Sequence, residues 1–213
     1  MRTLIKICGL TRLDDALLAA ESGADYLGFI FAEGSPRQLS PEAAKEIVSK
    51  LPPEVKKVGV FRDDPLPDIR RIMEFCGLDV VQLHGHETLQ TAKVLALEYE
   101  VWKALPFTSP AVFSESLKFQ AFTQLADSDK RGGDCNWSLA RLTARGRRLF
   151  LAGGISSDNA AHAVETVCPA GLDICSGVEE RPGVKDHRKI TDIINRIRTA
   201  DRIQEEIYEK HAL

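Results

Sequence analysis

Two residues far apart in the sequence have side chains that could transfer a proton. Cys8 ends the apolar run Leu4–Cys8, and Asp127 follows a second apolar run, Phe122–Leu125. A thiol whose pKa falls from its ordinary value of about 8.5 can accept a proton as a thiolate, and a carboxyl group can donate one. The pair therefore predicts general acid–base catalysis. The simpler alternatives are a small buried cysteine and an aspartate that stabilises a turn.

Two glycine-containing segments near the C-terminus have the composition of an anion site. Residues 152–155 read Ala-Gly-Gly-Ile and residues 175–177 read Cys-Ser-Gly, and each segment follows an apolar run. Glycine lets backbone N–H groups converge on a phosphate, although either segment alone could be an ordinary tight turn. The two segments follow the last two apolar runs of the chain, and if these runs are strands, this position favours the phosphate site. The predicted phosphate-binding residues are Gly153, Gly154, Cys175, Ser176 and Gly177.

The apolar runs that carry these residues alternate with segments of helical period, which is the pattern of β–α units around a parallel sheet. Eight units that close on themselves form a (β/α)8 barrel, an α/β fold, and an open doubly wound sheet is the alternative. No linker interrupts the series, so residues 1–213 are expected to form a single domain. In a barrel, the carboxyl ends of all strands meet at one rim. The expected strands are Leu4–Cys8, Tyr26–Phe31, Lys57–Phe61, Val80–Leu83, Val101–Ala104, Phe122–Leu125, Leu149–Ala152 and Leu172–Ile174.

Several helix boundaries carry capping signals. Thr11 with Asp14 three residues later predicts an N-terminal cap, and Ser40 followed by Pro41 predicts the start of a helix that runs through Leu51. Further helices are expected at roughly 65–76, 87–97, 110–118 and 158–167, with a long amphipathic helix after residue 186.

The composition argues against several classes of protein. The 213 residues include 28 Lys and Arg against 31 Asp and Glu, a net charge of -3, so neither nucleic acid nor an anionic membrane surface is expected as a partner. No run approaches the roughly 20 apolar residues of a membrane span, and no signal peptide is recognised, which predicts a cytoplasmic protein. The five cysteines lack a C-x-x-C pair, which indicates reduced thiols rather than disulfides or a metal site.

Short motifs along most of the chain resemble those of one enzyme family, in the same order and at compatible spacing from residue 4 to about 190. The motifs are Lys6-Ile7-Cys8-Gly9-Leu10-Thr11, Gly28-Phe29-Ile30-Phe31, Ser35-Pro36-Arg37, Val58-Gly59-Val60-Phe61, Gln82-Leu83-His84-Gly85, Ala152-Gly153-Gly154-Ile155 and Asp173-Ile174-Cys175-Ser176-Gly177-Val178-Glu179. On these residues the chain resembles the phosphoribosylanthranilate isomerases.

The resemblance implies a (β/α)8 barrel, no cofactor, and an Amadori rearrangement in tryptophan biosynthesis that converts N-(5-phosphoribosyl)anthranilate into its 1-deoxyribulose isomer. It implies Cys8 as general base, Asp127 as general acid, and Arg37 as the contact for the anthranilate carboxylate, which the planar guanidinium group suits. The expected partner is this phosphorylated small molecule, and both a monomer and a homodimer remain open. Further substrate contacts are expected from Gln82, His84 and Asp173.

Strand alternation also places a lysine inside the predicted barrel. Lys6 and Cys8 share one face of the first strand, while the apolar Ile5 and Ile7 share the face toward the helices. An unpaired ammonium group inside would be costly, and strand eight, which closes the barrel against strand one, carries Asp173. We therefore predict a Lys6–Asp173 ion pair whose ammonium group lowers the pKa of the thiol. The alternative is that the aspartate contacts a ribose hydroxyl while the lysine reaches solvent.

The segment after Asp127 departs from the family pattern. The family usually has a longer glycine-rich segment resembling G-G-T-G-x-x-F-D-W, whereas residues 127–137 read Asp-Ser-Asp-Lys-Arg-Gly-Gly-Asp-Cys-Asn-Trp. The shortening makes Asp129 a competitor for the role of acid. It also leaves open a barrel of altered specificity, or a non-catalytic one that only binds a sugar phosphate. A pentulose-phosphate epimerase is a further alternative, but it would need metal ligands at several strand ends, and only His84 is so placed.

Overall fold

The computed structural model describes residues 2–128 and 135–211. Eight parallel strands form a closed barrel in which each strand pairs with the next along the chain and the eighth pairs with the first. The predicted (β/α)8 barrel is therefore confirmed. The strands are β1 (Leu4–Cys8), β2 (Tyr26–Ile30), β3 (Lys56–Phe61), β4 (Val80–Leu83), β5 (Glu100–Pro106), β6 (Thr123–Asp127), β7 (Leu149–Leu151) and β8 (Gly171–Ile174).

Eight helices alternate with the strands among the described residues: α1 (Leu13–Glu21), α2 (Pro41–Val48), α3 (Leu66–Cys76), α4 (Leu89–Leu95), α5 (Ala111–Lys118), α6 (Trp137–Ala144), α7 (Ala160–Val167) and α8 (His187–His211). Between β8 and α8 the chain forms a 3₁₀ turn, Ser176–Val178, and an antiparallel hairpin of β9 (Glu179–Arg181) and β10 (Val184–Lys185). The eight β–α units implied a helix at the position of α6, without bounds, whereas the hairpin was not predicted. Within 2–128 and 135–211, none of the helices has the length and apolar character needed to cross a membrane.

One capping prediction is confirmed and the other is wrong. Ser40 Oγ accepts a hydrogen bond from the backbone N–H of Ala43, which caps α2 as expected. At α1, the N-cap residue is Arg12 and no side chain caps the helix. The hydroxyl group of Thr11 instead donates to the carbonyl oxygen of Gly183 in the hairpin, so a tertiary contact replaces the local cap.

Three aromatic rings fill the interior of the barrel. The ring centroid of Trp102 lies 4.4 Å from that of Phe150 and 4.8 Å from that of Tyr26, and Trp102 and Phe150 are fully buried. The opposite faces of the strands pack against the helices, as Ile5 and Ile7 of β1 do. The barrel is thus a packed core rather than a pore, and a site must lie at one of its ends.

We predict that Phe150→Ala lowers the free energy of unfolding by about 3–5 kcal/mol, because it removes a fully buried ring from the barrel interior. Urea unfolding monitored by circular dichroism measures the change. Leu97→Ala is the matched control, since Leu97 is 82% exposed and its truncation should cost less than about 0.5 kcal/mol. Equal losses in the two variants would contradict the packed interior.

Candidate active site

A cavity of about 530 Å³ opens at the carboxyl ends of the strands. Ten of the eleven predicted site residues line it: Cys8, Arg37, Gln82, His84, Asp127, Gly153, Gly154, Asp173, Cys175 and Ser176. The eleventh, Gly177, is not a lining residue. A Cβ atom at Gly177 would overlap the carbonyl oxygen of Ile155, so this glycine allows the loops after β7 and β8 to touch.

The floor of the cavity contains a buried ion pair. Lys6 Nζ lies 2.8 Å from Oδ1 of Asp173, the lysine side chain is fully buried, and the two residues are directly opposite in the β1–β8 register. The predicted pair is therefore confirmed. Burial alone would lower the pKa of Lys6, but Asp173 and Cys8 outweigh it and hold the pKa above its ordinary value. Burial, partly offset by the lysine, raises the pKa of Asp173 to about 7.

The thiol of Cys8 lies directly above this pair and is stabilised as a thiolate. A hydrogen bond with Cys175 has the largest effect on its pKa, and with Lys6 and Lys185 it outweighs burial and holds the pKa well below the ordinary value. The sequence analysis attributed this effect to Lys6 alone. Alternation could have revealed the second thiol, because Cys175 follows Asp173 by two residues, directly after the strand that pairs with β1.

A glycine in β2 leaves room for the Cys8 thiol and the Lys6 ammonium group. Gly28 is opposite Cys8 in the β1–β2 register. A Cβ atom at Gly28 would lie 2.7 Å from the Cys8 Sγ atom and 3.1 Å from the Lys6 Nζ atom. Any larger residue would therefore displace either the thiol or the ammonium group.

Across the cavity, Gln82, His84 and Asp127 form a chain of hydrogen bonds. His84 Nδ1 is 3.0 Å from Nε2 of Gln82, and His84 Nε2 is 3.0 Å from Oδ2 of Asp127. Because the amide nitrogen donates to Nδ1, a neutral imidazole carries its proton on Nε2 and donates it to Oδ2 of Asp127. Strand β6 ends at Asp127, two residues later than expected. The competing Asp129 lies outside the described residues.

Arg37 lines the cavity with its guanidinium group held by a glutamate. Its Nε and Nη2 atoms lie 2.7 and 2.6 Å from the two carboxylate oxygens of Glu179. Lys185 Nζ lies 3.0 Å from the same carboxylate and 3.0 Å from the carbonyl oxygen of Cys175. The glutamate and the lysine belong to the unpredicted hairpin, and the sequence analysis gave neither a role. The bidentate contact fixes the guanidinium plane and leaves Nη1 outside the pair.

The loop after β7 holds two consecutive glycines in the left-handed region, with φ of 77° for Gly153 and 74° for Gly154. Asn159 fixes this loop, because its Nδ2 donates to the Gly154 carbonyl at 2.9 Å and its Oδ1 accepts the Ser156 N–H at 2.9 Å. The 3₁₀ turn Ser176–Val178 begins beside it, after β8. Loops of this kind, with a short helix after strand eight, form phosphate sites in barrels.

A second buried ion pair supports the loop that carries His84. Lys103 Nζ lies 2.7 Å from Oε2 of Glu87 and also donates to the carbonyl oxygen of Gly85 at 2.7 Å. The glutamate accepts backbone N–H groups from Gly85 and Asp63. The loops after β3 and β4 are therefore tied together under the imidazole. Sequence analysis missed this support, and it also missed Arg62, which lines the cavity after β3.

The fold and the cavity define a (β/α)8-barrel enzyme whose site suits proton transfer on a small anionic substrate. The family model described as N-(5'phosphoribosyl)anthranilate (PRA) isomerase matches residues 5–196. The chain is 41% identical over 196 residues to the N-(5'-phosphoribosyl)anthranilate isomerase of Pelobacter propionicus, an alignment that covers 89% of this chain and 93% of that protein. The chain belongs to the phosphoribosylanthranilate isomerase family, enzymes of tryptophan biosynthesis, and is an isomerase.

Two solved structures show the same fold. Phosphoribosylanthranilate isomerase from Thermus thermophilus superimposes with a TM-score of 0.85 at 44% identity, covering 93% of this chain and 99% of that one. A phosphoribosylanthranilate isomerase in complex with reduced 1-(o-carboxyphenylamino)-1-deoxyribulose 5-phosphate gives a TM-score of 0.86 at 37% identity, covering 92% and 99%. That relative therefore holds a phosphorylated ligand in a barrel of this architecture.

We predict that Lys6→Met moves the acidic limb of the pH–rate profile of kcat/KM to higher pH by roughly 1–2 units. The lysine lowers the pKa of Cys8, so without it the thiolate forms only at higher pH. Lys57→Met is the control, because Lys57 also lies on a barrel strand but its Nζ is 4.0 Å from Asp79, away from the cavity. An unchanged acidic limb in Lys6→Met, with folding intact by circular dichroism, would contradict this role.

Proposed function

We propose that this chain converts N-(5-phosphoribosyl)anthranilate into 1-(2-carboxyphenylamino)-1-deoxyribulose 5-phosphate, with Cys8 as general base and Asp127 as general acid. One observation carries the proposal. The thiol on β1 and the carboxyl group on β6 line one cavity, and β7 and β8, which bear the glycine loops, lie between them around the barrel. A phosphate held by those loops would place the attached sugar between the acid and the base.

The reaction needs one proton delivered and one removed. Asp127 donates a proton to the furanose ring oxygen, the C1–O bond breaks, and the nitrogen lone pair forms a Schiff base at C1. The Cys8 thiolate then takes the C2 proton, and the electrons of that bond form the enolamine, which ketonises at C2 as C1 gains a proton. The substrate and the product contain the same atoms, so the reaction needs neither a redox partner nor a co-substrate.

Polar groups around the cavity suit the rest of this substrate. The amide oxygen of Gln82 is buried and has no hydrogen-bond partner among the described residues, so a sugar hydroxyl would satisfy it. Arg37, oriented by Glu179, presents a cation to the anthranilate carboxylate. His84 is a positioning residue in this scheme, because its hydrogen bond orients the carboxyl group of Asp127.

The alternatives receive less support from the site. A metal-dependent epimerase would need its ligands in the cavity, but the described residues close enough to share a metal ion are Asp14, Asp15 and His187, and none of them lines it. A barrel that only binds a sugar phosphate would not need a stabilised thiolate opposite a carboxyl group. We propose that the reaction takes place in the cytoplasm and that the phosphorylated small molecule is the partner of the protein.

Cys8→Ala and Asp127→Asn should each lower kcat by roughly 10²- to 10⁴-fold, because each removes one proton-transfer group. The dissociation constant of the substrate should stay within about tenfold, since neither group contributes much to ground-state binding. The assay follows the disappearance of freshly made phosphoribosylanthranilate. Cys76→Ala is the control, because Cys76 is a buried thiol that does not line the cavity. A near-normal rate in Cys8→Ala would refute the base, and a larger loss in Asp129→Asn would transfer the acid role.

Arg37→Ala should act on KM rather than on kcat. The carboxylate that Arg37 would hold is remote from the bonds that change, so its loss weakens substrate and transition state alike. Loss of a charge-assisted hydrogen bond predicts an increase in KM of roughly 10- to 100-fold. The comparison is the steady-state kinetics of Arg62→Ala, which removes a different cationic side chain from the cavity. A loss confined to kcat would be incompatible with the proposed contact.

A further inference from the structure

Cys8 and Cys175 lie next to each other at the rim of the barrel. Cys8 is the last residue of β1, and Cys175 directly follows β8. The β1–β8 register ends with Ile7 opposite Ile174, so the two cysteines are the next residue along each segment. Neighbouring strands lie about 4.8 Å apart, which falls within the roughly 4.4–6.8 Å between the Cα atoms of most disulfides.

The two side chains also point the same way. Two residues before each cysteine, Lys6 Nζ and Asp173 Oδ1 lie 2.8 Å apart inside the barrel. Because side chains alternate along an extended chain, the cysteines share this inward direction. The two thiols are close enough for each to shift the pKa of the other. A Cβ atom at Gly9 would lie 3.0 Å from the Cys175 Sγ atom, so the absence of a side chain there leaves room for that sulfur next to Cys8.

The two thiols line the same cavity and differ in their pKa. Both thiols line the cavity, whereas the other cysteines, Cys76, Cys135 and Cys168, do not. Cys8 has a pKa well below the ordinary value, and the hydrogen bond to it raises the pKa of Cys175. One sulfur is thus a nucleophilic thiolate, and its neighbour keeps a proton, which is the arrangement of an attacking and a resolving cysteine.

We propose that Cys8 and Cys175 form a reversible disulfide when a hydroperoxide enters the empty cavity, and that this bond switches the site off. The Cys8 thiolate attacks the terminal peroxide oxygen, the O–O bond breaks, and the leaving alkoxide or hydroxide takes a proton. Cys175 then attacks the Cys8 sulfenic acid, and water leaves with the Cys175 proton. Two thiols lose two electrons, and the peroxide is reduced to an alcohol or water plus one further water.

Formation of the bond rests on the position of the two thiols in the cavity, while loss of turnover rests on the proposed role of Cys8 as base. The experiment separates the two. The reduced protein is treated with excess hydrogen peroxide, remaining thiols are alkylated, and the digest is analysed by mass spectrometry without reduction. We expect a Cys8–Cys175 linked peptide lighter by two hydrogen atoms, and a fall in turnover of ~10²-fold or more that dithiothreitol reverses.

Each variant is compared with its own untreated rate, because Cys175 also lines the cavity. In Cys175→Ser the linked peptide should be absent, and excess peroxide should carry Cys8 to sulfinic acid, so dithiothreitol should no longer restore turnover. Cys168→Ser, which removes an exposed thiol remote from the cavity, should behave like the parent protein. Inactivation without the linked peptide, or a link between other cysteines, overturns the proposal. A Cys8–Cys175 link with unchanged turnover supports the disulfide but overturns its role as a switch and contradicts the base assignment.

Discussion

Burial of one ammonium group constrains more of this structure than any other single interaction. Lys6 is fully enclosed inside the barrel, and a charge in that position is tolerated only if anions surround it. Asp173 supplies one from the adjacent strand, and the Cys8 thiolate supplies another. The two acids compete for one cation, which is why burial and the nearby thiolate leave the pKa of Asp173 at about 7. Gly28 is required because a Cβ atom would enter this space.

Closure of the barrel creates the site as well as the fold. Because β8 pairs with β1, Asp173 of β8 lies opposite Lys6, and Cys175, which directly follows β8, lies near Cys8. The same closure sets the loops after β7 and β8 between the strand that carries the thiol and β6, which ends at Asp127. A register error in the last pair would therefore remove the ion pair, the thiol contact and the spacing of the proposed acid and base together.

Features that follow the alternation of side chains along a strand could be predicted from the sequence, whereas features that depend on tertiary contacts could not. Alternation along β1 and β8 is periodic, so the Lys6–Asp173 pair could be inferred without coordinates. The Arg37–Glu179 contact joins residues 142 apart through a hairpin whose strands have three and two residues, too short to leave a pattern. In the sixth strand, Gln124 interrupts the apolar run, yet it is fully buried and donates to the carbonyl oxygen of Ser116, a contact that strand periodicity does not predict.

The cations around the cavity connect the two reactivities that we propose for Cys8. Lys6, Arg37 and Lys185 are held by two carboxylates, because Glu179 contacts both Arg37 and Lys185. This leaves one cation to be balanced by the Cys8 thiolate, and the same cations would favour the phosphate and carboxylate of the proposed substrate. A thiolate poised to take a carbon-bound proton is also a nucleophile toward peroxide oxygen. Substrate occupancy would then decide which reaction occurs, since a filled cavity leaves no path to the sulfur.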